Sequence, residues 1–150
     1  MKLVREIIEE SISFQRYKDP KAALGLGIRV LIEEWLEEMS IENYIINADL
    51  TIAVNGYVYL DNNDLITFPK YIKFKTVKEY FSCDNNQLTS LEGCPSTVWG
   101  GFYCESNQLT SLEGCPSTVG GSFYCGNNKK QFSREEVRKY CKVKGNIYDS

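Results

Sequence analysis

CDNNQLTSLEGCPSTVWGGFY, residues 83–103, is followed at once by CESNQLTSLEGCPSTVGGSFY, residues 104–124. The two stretches are near copies offset by 21 residues, from Cys83 to Cys104, and Cys125 begins the pattern again. A fixed period of roughly 20–29 residues is typical of proteins that stack short supersecondary units into a solenoid. The repeat therefore predicts the architecture before any single helix or strand is assigned.

Each copy follows the leucine-rich-repeat pattern L-x-x-L-x-L-x-x-N/C-x-L. In the second copy, Phe102 and Cys104 take the two apolar strand positions, and Asn107 takes the Asn position. Because side chains alternate along a strand, Phe102 and Cys104 are expected to point inward, while Tyr103 and Glu105 point outward. Asn107 is expected to bond backbone groups where the chain turns away, so stacked copies predict an asparagine ladder.

The remaining apolar positions continue around each coil and predict a shared interior. They are Leu109, Leu112, Cys115 and Val119 in the second copy, and Phe81, Cys83, Leu88, Leu91, Cys94 and Val98 around the first. A looser copy with a 23-residue spacing begins at Leu60, and a partial copy begins at Cys125 but fails at Lys130, where a Leu is due. One coil cannot stand alone, because it needs neighbours and capped ends. The predicted fold is α+β: a short leucine-rich-repeat solenoid of parallel strands, with about three coils and a helical cap at each end.

The array is assigned to residues 57–128, between two caps that complete a single compact domain. The N-terminal cap, residues 1–56, is predicted to hold a helix over 2–14, a second helix from an Asp19 cap and Pro20 to about Met39, and an opening strand over Ile45–Val54. The C-terminal cap, residues 129–150, is predicted to hold an S-x-x-E capping box at Ser133–Glu136, a helix to about Cys141 and a final strand at 145–148.

The composition is that of a globular protein, with 25% charged and 13% aromatic residues and a net charge of −3. No apolar run is long enough to span a membrane. Glu6, Glu9 and Glu10 stand where a signal peptide needs its apolar core. These features predict a cytoplasmic protein with no membrane partner.

The sequence contains six cysteines and no histidine, which limits the metal-binding and catalytic roles that are possible. Five of the cysteines take inward repeat positions and there is no C-x-x-C, so neither a metal site nor another cofactor is expected. Core thiols are favoured over disulfides, because the side chains of stacked parallel strands point the same way. No histidine is present to activate a thiol and the carboxylates are scattered, so no catalytic residues are expected and the protein is not predicted to be an enzyme.

Several stretches resemble the short leucine-rich-repeat proteins of bacteriophages and environmental viruses. The repeat NQLTSLEGCPSTVGGSFYC is similar to theirs, and so are DPKAALGLGIR with the WL-containing helix, NYIINADLTIAVNG and FSREEVRKYCKVKGNIY. The resemblance covers nearly the whole chain and implies a viral origin, a bacterial host cytoplasm and a leucine-rich-repeat fold. It implies no functional residues.

Leucine-rich repeats bind partners through the outward residues of their strands, so the outward columns form the candidate site. The candidate binding residues are Tyr59, Asp61, Tyr80, Asp84, Trp99, Tyr103, Glu105 and Tyr124. Trp99 is included because the second copy has Gly120 in its place, and an exposed tryptophan is a favoured interface anchor. The alternative is an ordinary solvated strand face, because tyrosine has a high strand propensity.

Charge is distributed unevenly along the chain. Between Lys78 and Lys129 there is no Lys or Arg, whereas Glu79, Asp84, Glu92, Glu105 and Glu113 lie in that stretch. An acidic array repels phosphates and excludes nucleic acid from the repeat face, but it steers a basic protein toward it. The N-terminal helices are acidic and the C-terminal cap is basic, so a homo-oligomer could stack front to rear; solvated faces are the alternative.

Three functions follow from these observations. The first is a non-catalytic interaction protein that binds a host protein through its exposed strand face, with inhibition of a host defence or enzyme as the outcome. The second is an oligomer that sequesters a nucleotide or another small ligand, suggested by Gly25-Leu26-Gly27, the basic cap and the aromatic residues. The third is a structural or assembly protein of a viral complex.

Overall fold

The computed structural model describes residues 20–150, with the surroundings of side chains from Leu24 onward. The helix expected over residues 2–14 and the Asp19 cap lie outside the described residues. Two helices are described, α1 (Pro20–Glu38) and α2 (Arg134–Tyr140). The strands are β1 (Tyr44–Ile46), β2 (Ile52–Val54), β3 (Val58–Tyr59), β4 (Phe74–Val77), β5 (Phe81–Ser82), β6 (Thr97–Val98), β7 (Phe102–Tyr103), β8 (Thr118–Val119), β9 (Phe123–Tyr124), β10 (Lys142–Val143) and β11 (Ile147–Tyr148).

The strands form two sheets that wind together as a solenoid of about four turns. The six-stranded sheet has the order β1-β2-β4-β6-β8-β10, and the five-stranded sheet has the order β3-β5-β7-β9-β11. Neighbouring strands run parallel, except that β1 is antiparallel to β2. The predicted α+β solenoid of parallel strands is confirmed.

The coils contain more strand, and the stack is longer, than the sequence analysis proposed. Thr97–Val98 and Thr118–Val119 add a second strand to each repeat, and their valines are fully buried. The last coil is complete, because β10 pairs with β8 and β11 pairs with β9. The Leu missing at Lys130 does not end the stack, since Phe132 and Val137 of the cap are buried in its interior.

The interior is built from columns of like side chains. Phe81, Phe102 and Phe123 lie on successive coils, with neighbouring ring centroids 5.8 and 5.1 Å apart, and all three are fully buried. All six cysteines are free thiols; five are buried and Cys115 is half-buried. The cysteines therefore act as small core groups, as the repeat positions predict.

Asparagine side chains, buried at Asn86 and Asn107 and half-buried at Asn128, connect each coil to the one before it. Asn107 is 2% exposed, and its Nδ2 donates to the Cys83 carbonyl oxygen of the preceding coil at 2.9 Å. Its Oδ1 accepts the Leu88 amide at 3.0 Å. Asn86 and Asn128 make the equivalent bonds one coil earlier and one coil later. These side chains satisfy backbone groups that no strand partner reaches, which is the expected asparagine ladder.

Each end of the solenoid is closed by a helix. At the front, Trp35 of α1 packs edge-on against Phe68 and Phe74, with ring centroids 6.4 Å from each. At the rear, the Ser133 hydroxyl oxygen accepts the Glu136 amide at 3.1 Å and begins α2, as the capping-box pattern predicts. The apolar residues at both ends are thereby withdrawn from water.

The prediction of one opening strand over Ile45–Val54 is wrong. That segment contains two antiparallel strands, β1 and β2, with a turn between them. Leu50 takes a left-handed conformation there, with φ of 68°. Asp49 Oδ1 accepts the Thr51 amide at 3.1 Å, so a local side-chain bond stabilises a turn that the apolar pattern conceals.

Replacing Asn107 by alanine is expected to lower the free energy of unfolding by about 2–3 kcal/mol, because buried backbone groups lose their partners. Urea denaturation followed by circular dichroism measures the change. Asn63→Ala is the matched control, since Asn63 is exposed and its side chain makes one bond, to the Asp61 carbonyl oxygen at 3.1 Å. Equal losses for both variants would show that the ladder does not stabilise the stack.

Candidate functional site

One outward column of the five-stranded sheet consists almost entirely of tyrosine. The strand register places Tyr59, Ser82, Tyr103, Tyr124 and Tyr148 side by side on consecutive coils. They point outward because the residue before each of them is buried in the interior. We call this set the tyrosine column.

The spacing of the coils lets these rings stack. The centroids of Tyr103 and Tyr124 are 4.4 Å apart at an interplanar angle of 7°, and those of Tyr124 and Tyr148 are 4.6 Å apart at 8°. Beside them, Tyr57 and Tyr80 stack at 5.1 Å, and Tyr80 meets Tyr103 edge-on at 6.2 Å. Neighbouring strands are about 4.8 Å apart, so the backbone itself sets a stacking distance and each ring supports the next.

A column of carboxylates runs beside the tyrosine column. It contains Asp61, Asp84 and Glu105, and we call it the acid column. Asp61 Oδ1 accepts the Ser82 hydroxyl at 2.6 Å and the Asp84 amide at 2.9 Å. Asp84 Oδ1 accepts the Glu105 amide at 2.7 Å. Each of these two carboxylates therefore accepts a backbone hydrogen bond from the next coil. We call the tyrosine column and the acid column together the tyrosine–acid face.

Crowding changes the acidity of this face. Partial burial raises the pKa of Asp84 to about 6, the hydrogen bond from the Glu105 amide opposes the rise, and repulsion from Asp61 and Glu105 adds to it. Burial also raises the pKa of Glu105 and that of the Tyr103 phenol. The face therefore holds a carboxylate, Asp84, that ionises only as the pH rises through about 6.

The tyrosine column is broken once, at Ser82. A cavity of about 280 Å³ opens there, and its lining residues are Tyr59, Asp61, Tyr80, Ser82, Asp84 and Tyr103. All six belong to the face or to the tyrosine pair at its flank. The cavity thus combines aromatic walls with two carboxylates.

Trp99 lies beside the six-stranded sheet, away from the tyrosine–acid face. It is 63% exposed, and Lys78 Nζ lies 5.8 Å from its ring centroid. It lines a separate cavity of about 210 Å³ with Gly120 and Lys144 among its neighbours. A Cβ at position 120 would lie 2.3 Å from the Trp99 carbonyl oxygen, so close coil packing requires glycine in the second copy.

The structure brings together every residue of the candidate site except Trp99. The assembled residues are Tyr59, Asp61, Tyr80, Asp84, Tyr103, Glu105 and Tyr124. Tyr148 also lies in the column, although it was not predicted as a site residue. The spacing could have found it, because G-N-I-Y at 145–148 repeats G-S-F-Y at 121–124. No special role was predicted for Ser82, because the gap at this residue exists only between tyrosine rings that the structure places on either side.

The described residues offer few groups for covalent chemistry. Burial raises the pKa of Cys115 and Cys125 to about 12 and that of Cys141 to about 11, so these thiols stay protonated and weakly nucleophilic. Within residues 20–150, no group of three or more Cys, Asp or Glu side chains is placed to hold a metal ion. No helix in the same range has the length and apolar character needed to cross a bilayer.

Searches against protein-family models, curated proteins and solved structures produced no significant match. The rings and carboxylates of the tyrosine–acid face are therefore the features that bear on function.

Asp84→Asn is expected to stabilise the protein at pH 7.5 by about 1 kcal/mol, a value reduced for solvent screening of a half-exposed group. The folded-state pKa of Asp84, about 6, exceeds the ordinary aspartate pKa of 3.8. The native carboxyl therefore destabilises the folded state when ionised, and its penalty falls away as the pH drops from 6 through 3.8. The amide keeps an acceptor for Glu105.

Urea midpoints of both proteins between pH 3.5 and 8 measure this difference, which should shrink steadily below pH 6. Glu92→Gln, on an exposed loop, is the control and should not alter the pH dependence. A difference between wild type and Asp84→Asn that is independent of pH would contradict the assignment.

Proposed function

We propose that this protein is a non-catalytic interaction module that holds a basic segment of another protein on its tyrosine–acid face. The observation that carries the proposal is the combination of stacked tyrosine rings and a carboxylate column on one sheet face. No Lys or Arg occurs from residue 79 to residue 128, which includes most of that face. Rings and carboxylates together complement a partner that presents both cations and apolar stems.

Rigidity supports a binding role for this face. Tyr103 and Tyr124 are held in parallel by stacking, and Asp61 and Asp84 are held by bonds to the backbone of the next coil. Side chains ordered before binding lose little conformational entropy on association. Tyrosine also offers a large contact area with few rotatable bonds, which is why it is favoured in binding surfaces.

The charge of the face favours a basic protein over the other candidate partners. Polynucleotides and nucleotide phosphates are repelled by Asp61, Asp84 and Glu105, so the ligand-sequestering alternative finds no support at this site. A basic segment is attracted over longer range, which raises its association rate. The resemblance to phage repeat proteins supports a host protein as the source of that segment.

The double variant Tyr103→Ala/Glu105→Lys is expected to weaken binding of a basic peptide by about tenfold or more, because it removes a ring and reverses a charge. The probe is a fluorescein-labelled peptide of three Lys-Arg-Gly-Ser units, followed by anisotropy at 50 and 200 mM salt. Affinity of the wild type should fall as salt rises.

Tyr140→Ala/Glu113→Lys is the matched control, since it makes the same two changes at exposed positions of α2 and a return loop. It should retain the wild-type affinity apart from a small long-range effect of charge. Equal losses in the two double variants would mean that net charge, and not the face, binds the peptide. No binding to the wild type at 50 mM salt would overturn the proposed function.

A further inference from the structure

The gap in the tyrosine column has the dimensions of one missing ring. Ser82 separates Tyr59 from Tyr103 in the register of the five-stranded sheet. Two strand spacings amount to roughly 9–10 Å, whereas rings on adjacent coils of the column stack at 4.4 and 4.6 Å. The backbone therefore leaves room for one planar group between the coils of Tyr59 and Tyr103, and both rings line the cavity there.

A third ring and two carboxylates close the gap on other sides. Tyr80 enters from the flank and lies edge-on to Tyr103 at 6.2 Å. Ser82 is 4% exposed, and its hydroxyl is turned to Asp61 Oδ1 at 2.6 Å. The cavity that remains measures about 280 Å³. This is a small site with aromatic walls and an anionic floor.

The floor has unused capacity for hydrogen bonds. Asp61 and Asp84 bond the following coil through Oδ1, and no donor in residues 24–150 reaches Oδ2 of either. The coil spacing brings the two carboxylates close together, and neither forms a salt bridge with a Lys or Arg side chain among residues 24–150. A ligand with positive charge and several N–H groups would supply both the missing charge and the missing donors.

We propose that this gap is a pocket for the guanidinium group of an arginine side chain, stacked between Tyr59 and Tyr103 and hydrogen-bonded to Asp61 and Asp84. The arginine belongs to the basic segment of the partner protein, so its source rests on the proposed function. The pocket would set the register of that segment, because charge attraction alone draws any cation to the acid column and does not select one position along it.

Shape and hydrogen bonding select arginine among cations. Its guanidinium is planar, stacks on aromatic faces and presents five donors in a fixed fork, which suits a cavity lined by tyrosine rings and two carboxylates. A lysine ammonium is compact and strongly hydrated, and it cannot fill a slot shaped for a ring. A quaternary ammonium has no N–H to offer Asp61 or Asp84. A nucleotide is disfavoured because its phosphates would be repelled by Asp61 and Asp84.

The test is a titration of ¹⁵N-labelled protein with N-acetyl-argininamide, which probes the pocket without the rest of a peptide. The Asp84 and Glu105 amides report directly, because each donates to a carboxylate of the site. Saturable shifts of both with a millimolar dissociation constant are expected. N-acetyl-lysinamide should bind at least fivefold more weakly, and N-acetyl-citrullinamide, which keeps the shape without the charge, at least tenfold more weakly.

Ser82→Tyr completes the column and should weaken N-acetyl-argininamide binding at least tenfold. Ser82→Ala keeps the gap open and should change the affinity by less than threefold. Asp84→Asn serves as a second test that leaves the gap intact, and it should weaken binding about fivefold through the lost charge. A melting curve for each variant confirms folding, and if Ser82→Tyr does not fold, Asp84→Asn decides.

Two results would overturn the pocket: no saturable shift in the wild type, or equal binding by wild type, Ser82→Tyr and Asp84→Asn. The labelled basic peptide separates this failure from failure of the proposed function. Peptide binding that Ser82→Tyr leaves unchanged keeps the interaction role and removes the pocket. Saturable argininamide binding without peptide binding keeps the guanidinium pocket and removes the proposed role of the wider face.

Discussion

Backbone hydrogen bonds between successive coils are the constraint on which the rest of this protein depends. The Phe81 amide donates to the Gly101 carbonyl oxygen at 3.0 Å, and the Phe102 amide donates to that of Ser122 at 2.9 Å. Repeated at every coil, these bonds leave no freedom for one coil to slide past the next. The approach is close enough that a Cβ at position 120 would meet backbone. Every position of the repeat therefore lies beside its own copies.

This register aligns equivalent residues of successive coils into columns, both in the interior and on the surface. Inside, like side chains stack as rings of phenylalanine and as buried thiols. Outside, the same spacing brings the outward tyrosines of the five-stranded sheet into a stacked array. It also brings Asp61, Asp84 and Glu105, each two positions after an outward strand residue, into a line of carboxylates. A single departure from the repeat, such as Ser82, then becomes a cavity with neighbours on both sides. Such an exception distinguishes one coil from its neighbours, which the repeated columns cannot do.

Much of this was accessible from the sequence, for a physical reason. The inward positions of Phe102, Cys104 and Asn107 follow from strand alternation and from the 21-residue period of the two near copies, and the structure places them so. Signals that depend on single side chains were harder to interpret. The turn at Asp49–Thr51 lay hidden inside an apolar run. The final coil continues the stack without the expected Leu at Lys130, since Phe132 and Val137 of the cap are buried in the interior. Both cases involve contacts that a one-dimensional pattern does not contain.

The sequence by itself determined the stack: a 21-residue period, its inward and outward positions, and the acidic character of the array. It could do so because parallel coils in constant register translate sequence spacing directly into spatial columns. Only the tertiary structure decided which outward residues share a face. The chain turns a corner between the strands of each coil, so Trp99 lies beside the six-stranded sheet while Tyr103, a few residues later, joins the tyrosine column of the other. It also decided that Ser82 opens a space, because a gap exists only where the neighbouring rings are fixed by their own coils.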